Sequence, residues 1–121
     1  MTNAVLKPAA VDDDSAARPV DLAHLARQTH GNRDLEREVL HLFLIQSERL
    51  MKRLLAADGV RSELAHALVG SARGIGAWTV ADIAATVETA SRHDPQGGAE
   101  ALAELARAVF AANAYIRTVI V

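Results

Sequence analysis

The feature of this sequence that most limits its fold is the spacing of its small and aliphatic residues. From residue 21 to residue 118, Leu, Val, Ile and Ala recur at intervals of three and four positions, and short runs with Gly, Asp or Pro interrupt them. This period is typical of amphipathic helices, whereas a strand requires alternation. The segments between the interruptions predict a short helix and then four longer ones, at about 21–31, 34–57, 62–76, 78–92 and 99–118. We therefore expect an all-α fold, an antiparallel up-and-down four-helix bundle preceded by a short N-terminal helix.

Residues 1–19 differ in composition from the rest of the chain. They contain Pro8, Pro19 and the acidic run 12–14, and they lack apolar periodicity. Such a segment buries too little apolar surface to fold by itself. We expect residues 1–19 to be a disordered leader and residues 20–121 to form one helical domain, since a chain of 121 residues suffices for a single core.

The composition argues against several classes of protein. Lys and Arg number 13 against 15 Asp and Glu, the net charge is −2, and aromatic residues make up 3% of the chain. A nucleic-acid-binding domain normally has a basic face or interleaved aromatic and basic residues, so we expect no nucleic-acid partner. The chain has no Cys, and its histidines do not occur at metal-ligand spacings. We therefore expect no disulfide, no metal site and no cofactor of its own.

The apolar segments also bear on location and assembly. No apolar run approaches the roughly 20 residues of a membrane span, and Lys7 and Pro8 interrupt any signal-peptide core. We expect a cytoplasmic protein with no membrane partner. Because no additional apolar helix remains to be covered, we expect a monomer.

The third predicted helix places a histidine on its outward face. At about 100° per residue, the apolar side consists of Leu64, Leu68 and Ile75. His66 lies opposite that side, Gly70 and Arg73 follow it one and two turns along, and Val69 lies at one side of this outward face. A solvent-exposed imidazole is largely neutral at pH 7, so it offers one ring nitrogen as a nucleophile.

Gly70 is an unusual residue for the interior of a helix, where it costs about 1 kcal/mol relative to Ala. Two explanations remain open. Gly70 leaves space beside the imidazole for a partner or a bulky group, or it permits close contact with the first or second helix.

The segment from His66 to Ala77, HALVGSARGIGA, resembles the signature of histidine-phosphotransfer (HPt) domains. That signature has His, any residue, Leu, Lys, Gly, Ser, a small residue, three variable positions and then Gly-Ala. Every fixed position except the Lys matches, and the resemblance extends over about residues 20–118. It implies a four-helix up-and-down bundle that serves as a phosphorelay intermediate. His66 would accept a phosphoryl group from a receiver-domain aspartate and pass it to another receiver aspartate.

The same resemblance implies the partners of the chain. They are the receiver domains of response regulators and of a hybrid histidine kinase. The acidic pocket and its Mg²⁺ belong to the receiver, so this chain would bring no metal. It would be a phosphotransfer carrier rather than a conventional enzyme.

The sequence departs from the family at Val69, where the Lys that offsets phosphoryl charge is expected. Arg73 lies one turn further along and has a long side chain, so it is a candidate substitute for that charge. The alternative for Arg73 is a solvated surface charge. If nothing replaces the Lys, the chain would be a transfer-deficient module that only binds receivers.

Two further side chains are candidates for contact with His66. The run Phe43 to Gln46 resembles a Phe-x-x-Gln run of some phosphotransfer proteins, in which the Gln lies close to the reactive His. Gln46 falls within a wide apolar arc on the long helix predicted over 34–57, so it either serves the site or makes a structural hydrogen bond. That arc includes Leu35, Val39, Leu42 and Leu50. Glu63, one turn before His66, either orients the ring or interacts with the helix dipole.

Overall fold

The computed structural model describes residues 18–95 and 97–121. Within these ranges it contains no strand and five α-helices: α1 (Leu22–Gln28), α2 (Arg33–Leu55), α3 (Arg61–Ile75), α4 (Trp78–His93) and α5 (Ala99–Val119). The prediction of an all-α fold is confirmed, and the helix bounds differ from the predicted ones by a few residues. Of the predicted leader, residues 1–17 lie outside the described part of the chain. None of the helices described is both long and apolar enough to cross a membrane.

Side-chain caps account for the starts of the first two helices. Asp21 Oδ1 accepts a hydrogen bond from the backbone N–H of His24 at 3.0 Å, as expected for the N-cap of α1. Asn32 Oδ1 accepts from the backbone N–H of Leu35, also at 3.0 Å, and so caps α2. Each cap satisfies a backbone donor that has no partner within the helix.

The four longer helices surround one apolar core. Helices α2 and α4 each lie against both α3 and α5, whereas within the described ranges no Cα atoms of α2 and α4, or of α3 and α5, come within 8 Å of each other. The largest fully buried aliphatic side chains include Leu25, Leu40, Leu54, Leu68, Leu105 and Ile116. Burial of each such side chain stabilises the fold by about 1.5–3 kcal/mol. A buried hydrogen bond from Asn113 Nδ2 to Ser47 Oγ, 3.0 Å long, links α5 to α2.

Helix α2 buries only part of the apolar arc in its sequence. Its buried positions are Leu40, Phe43, Leu44, Ser47, Leu50, Met51 and Leu54. Leu35 and Leu42 belong to the same arc, but they are 40% and 59% exposed. One edge of the arc therefore faces solvent, because α3 and α5 together cover only the remaining part.

The turn between α3 and α4 is held against the start of α1. Asp21 N–H donates to the carbonyl of Gly76 at 2.9 Å, and Trp78 Nε1–H donates to Asp21 Oδ2 at 3.1 Å. Gly76 has a φ of +79°, and a Cβ at this position would lie 2.8 Å from Asp21 Cβ. Glycine is therefore required here by both conformation and space. The turn reverses the chain direction, so that α4 packs back along α3.

Candidate functional site

His66 lies near the middle of α3, and its side chain is 73% exposed. Its Nδ1 lies 2.9 Å from Oε2 of Glu88 on α4. A carboxylate only accepts hydrogen bonds, so in the neutral ring Nδ1 carries the proton and Nε2 keeps its lone pair. Nε2 has no hydrogen-bond partner among the residues described. Glu88 therefore holds the ring in the tautomer whose free nitrogen faces solvent.

Glu88 is a carboxylate on the core-facing side of α4. Its side chain is only 11% exposed, and acidic side chains are rarely buried without partners. Besides His66 it has Arg92, whose Nη2 lies 2.5 Å from the same Oε2. The pairing with His66 follows from the turn between the helices, because the two residues are 22 positions apart and Ala77 stands midway between them.

A shallow pocket surrounds the imidazole. It is lined by Ser62, Glu63, His66, Glu88 and Arg92. Glu63 lies at this pocket, as its position in the sequence suggests, but the residue that hydrogen-bonds the ring is Glu88. The pocket beside the ring thus holds two carboxylates and one guanidinium, while Nε2 itself faces solvent. An anion added to the ring would interact with all three of these charges.

Gly70 and Gly74 leave a bare strip on the exposed surface of α3. A Cβ at either position would meet no described atom within 4 Å. The explanation of Gly70 by close contact with another helix is therefore wrong for the described residues. Whether the open space serves a partner stays a prediction. Opposite the strip, α2 completes a groove with Val39, Leu42, Phe43 and Gln46.

Gln46 is exposed on α2, and its Oε1 accepts a hydrogen bond from Ser71 Oγ at 2.9 Å. It lines the groove beside Gly70 and does not line the pocket around His66. The structural hydrogen bond that the sequence left open is present. A contact between Gln46 and a phosphoryl group stays a prediction.

Arg73 and Val69, the two positions that the resemblance connects with a charge-offsetting Lys, differ in burial. Arg73 is exposed, and none of the described residues forms an ion pair with it. It follows His66 by seven positions, which is an axial rise of about 10 Å. Val69 is 5% exposed and belongs to the core, so the expectation that it lies at one side of the outward face is wrong. Val69 and Ser62 lie on the side of α3 that faces α4, and α4 covers that side.

Sequence reasoning missed Glu88 and Arg92 because both belong to a different helix from His66. Two signals point to them. Glu88 interrupts an otherwise apolar or small set of core-facing positions on α4, and Arg92 follows it at the i+4 spacing of an ion pair. In addition, Glu88 lies as far after Ala77 as His66 lies before it, and two helices that fold back on one another bring such positions together.

The described part of the chain contains no group of three or more His, Cys, Asp or Glu side chains that would hold a metal ion. Comparison of the chain with protein-family models, with curated proteins and with solved structures finds no match. The function must therefore be inferred from the site itself and from the residues of the signature-like segment.

Proposed function

We propose that this chain is a cytoplasmic phosphorelay carrier of the histidine-phosphotransfer type. His66 Nε2 accepts a phosphoryl group from a receiver-domain aspartate and gives it to another receiver aspartate. The observation that carries the proposal is the exposed imidazole whose Nδ1–H is held by the nearly buried Glu88, which leaves Nε2 open to a partner. The closed ring of contacts between α2, α3, α4 and α5 supports an antiparallel up-and-down four-helix bundle as its scaffold.

The transfer step involves the His66 ring, Glu88 and the phosphorylated aspartate of the receiver. The lone pair of Nε2 attacks phosphorus, the N–P bond forms, and the P–O bond to the aspartate breaks with its electron pair leaving on the carboxylate. Nδ1 keeps its proton, so the ring becomes a cation bonded to a phosphoryl dianion. Glu88, 2.9 Å from Nδ1, stabilises that cation by a charge-assisted hydrogen bond. The return transfer reverses each step, and the receiver is expected to bring its own Mg²⁺.

The surface beside the nucleophile supports docking of a partner domain. Leu42 on α2 is 59% exposed, and the bare strip at Gly70 and Gly74 lies across the groove from it. Exposed aliphatic side chains around a polar site are typical of protein interaction surfaces. In the proposed complex the receiver covers this groove, and its aspartate approaches Nε2 over Gly70.

A phosphotransfer assay tests the proposal. A panel of receiver domains, phosphorylated with acetyl phosphate and Mg²⁺, is mixed with the parent protein, His66→Gln and His41→Gln. His41 is an exposed histidine on α2 and serves as the matched control. We expect acid-labile, alkali-stable phosphate on the parent and on His41→Gln, and none on His66→Gln.

The other outcomes have distinct meanings. Undiminished labelling of His66→Gln would overturn the assignment of the phosphoacceptor. A receiver that binds the parent without transferring phosphate would instead identify the chain as a docking module. If no receiver in the panel binds or transfers, the phosphorelay proposal is wrong.

A further inference from the structure

A phosphoryl group on His66 would add negative charge to a pocket that already contains two carboxylates. The group brings up to two negative charges to a ring whose Nδ1 is hydrogen-bonded to Glu88, and Glu63 lines the same pocket. Like charges this close together repel one another, and more strongly where solvent is partly excluded. A cation close to both the ring and Glu88 would therefore favour the phosphorylated state.

Arg92 is the cation that the structure places there. Its Nη2 lies 2.5 Å from the Glu88 oxygen that is 2.9 Å from His66 Nδ1. Arg92 Nη2 and His66 Nδ1 contact the same oxygen atom of Glu88. The distance between the two nitrogens therefore cannot exceed the sum of these two distances. Arg73, by comparison, lies two helical turns from His66, and Val69 is buried and uncharged.

The guanidinium of Arg92 has donors to spare. Its side chain is 64% exposed, and a single hydrogen bond to Glu88 is seen among the described residues. A guanidinium carries five N–H groups in a fixed fork, so it can bind a carboxylate and a phosphoryl oxygen together. Its helix position, four residues after Glu88, keeps the head group at the pocket.

We propose that Arg92 is the phosphoryl-binding residue of this protein and takes the role of the Lys that Val69 replaces. The proposal rests on the proposed function, because it requires a phosphoryl group on His66 Nε2. Arg92 keeps its bond to Glu88 and donates further N–H groups to the phosphoryl oxygens. No covalent bond of Arg92 changes, and no proton leaves it.

The test uses phosphoramidate, a small phosphoryl donor whose P–N bond breaks with release of ammonia when a histidine nitrogen attacks phosphorus. It needs no receiver, so it separates the chemistry from docking. The rate of His66 phosphorylation is measured for the parent, Arg92→Ala, Arg92→Lys and Arg73→Ala. Arg73→Ala is the matched control, since it removes an exposed arginine from the helix that carries His66.

We expect Arg92→Ala to be phosphorylated about tenfold more slowly than the parent, which corresponds to about 1.4 kcal/mol. Arg92→Lys should recover part of the rate, and Arg73→Ala should stay within about twofold of the parent. ¹⁵N NMR of the His66 ring should show the Nδ1–H tautomer in all four proteins. Circular dichroism confirms that each is folded.

Three results would overturn the inference. Parent-like labelling of Arg92→Ala shows that Arg92 does not bind the group. If Arg73→Ala is the slow variant, the substitute for the Lys is Arg73. If Arg92→Ala is slow only because the Nδ1–H tautomer is lost, Arg92 acts through Glu88 as a positioning residue. Failure of the proposed function looks different, because the parent itself then acquires no phosphate on His66 from phosphoramidate or from any receiver.

Discussion

Helix α3 separates two surfaces that are built in opposite ways. On the side toward α4, His66 is tied to Glu88 and Glu88 to Arg92, so the polar groups are connected and partly buried. On the side toward α2, the surface is a bare glycine strip beside the exposed Leu42, and its hydrogen bond from Ser71 to Gln46 lies in the groove wall. The residues of the first surface act on a ring nitrogen, whereas those of the second surround open space.

The difference suggests a division of labour along one helix. A network of connected polar groups sets the tautomer and the charge around a nucleophile, so its removal should change the chemical step. The glycine strip has no side chain that could orient the imidazole, so a side chain added there should change only the access of a partner to His66. Variants on each side should therefore be separable by comparing a small phosphoryl donor with a receiver domain.

Among variants on the side of α3 toward α4, removal of Glu88 should slow the phosphorylation of His66 the most. Glu88→Ala takes away the partner of Nδ1–H and, in the proposed transfer, the carboxylate that would stabilise the ring cation. A hydrogen bond to a charged group is worth about 1.5–3 kcal/mol, so phosphorylation of His66 should slow by about ten- to a hundredfold. The measurement is the initial rate with phosphoramidate and with a receiver, and both rates should fall together.

Glu63→Ala is the control for Glu88→Ala, because Glu63 lines the same pocket and does not hydrogen-bond the ring. It should label within about threefold of the parent. Glu88→Gln, which keeps an acceptor but no charge, should lie between the parent and Glu88→Ala. Equal rates for Glu88→Ala and the parent would show that the hydrogen bond to Glu88 has no part in the chemistry, and the two sides of α3 would no longer differ.

A side chain added at the glycine strip should slow the docking of a receiver without slowing the chemical step at His66. Since a Cβ at Gly70 meets no described atom within 4 Å, Gly70→Ala should raise the free energy of unfolding by roughly 0.5–1 kcal/mol through helix propensity. Gly70→Gln should keep most of that gain, but its side chain would crowd an approaching receiver. We expect receiver transfer to fall about tenfold in thermally stable protein, while the rate with phosphoramidate changes little.

Gly74→Gln provides the matched control, because Gly74 is equally open and lies one turn farther from His66. It should gain similar stability and lose less of the transfer rate. Thermal melts and transfer rates for the two variants give the comparison. A Gly70→Gln protein that melts below the parent yet accepts phosphate from the receiver at the parent rate would contradict the idea that Gly70 provides clearance.

The two sides of α3 also differ in how well the sequence predicts them. Helix spans and the outward position of His66 were predictable, because periodicity and breakers are local properties of the chain. The partnership of His66 with Glu88 depends on the register of two helices that the turn at Gly76 joins, and the periodicity of either helix alone does not give that register. The exposure of Leu42 was missed for a related reason, because periodicity shows which side of α2 is apolar and not how much of it neighbouring helices cover.

The smallest predicted effect concerns the turn between α3 and α4. Hydrogen bonds from His24 N–H and then from Trp78 Nε1–H lower the pKa of Asp21 below its ordinary value. A lowered folded-state pKa means that the charged form stabilises the fold. Its contribution is complete at neutral pH and is lost as the pH falls below about 4, through the folded-state pKa.

Asp21→Ala should therefore lower the free energy of unfolding by about 1 kcal/mol at pH 7, which is typical for loss of an N-cap, and by less at pH 3. Asn32→Ala is the control, because it removes the uncharged cap of α2 and its effect should not depend on pH. Denaturant unfolding at the two pH values measures both variants. The same two variants are also labelled at His66 by phosphoramidate. If only Asp21→Ala slows this labelling by more than about threefold, the contacts among His66, Glu88 and Arg92 depend on this turn. Equal labelling of the two variants would show that packing of α3 against α4 maintains the register without it.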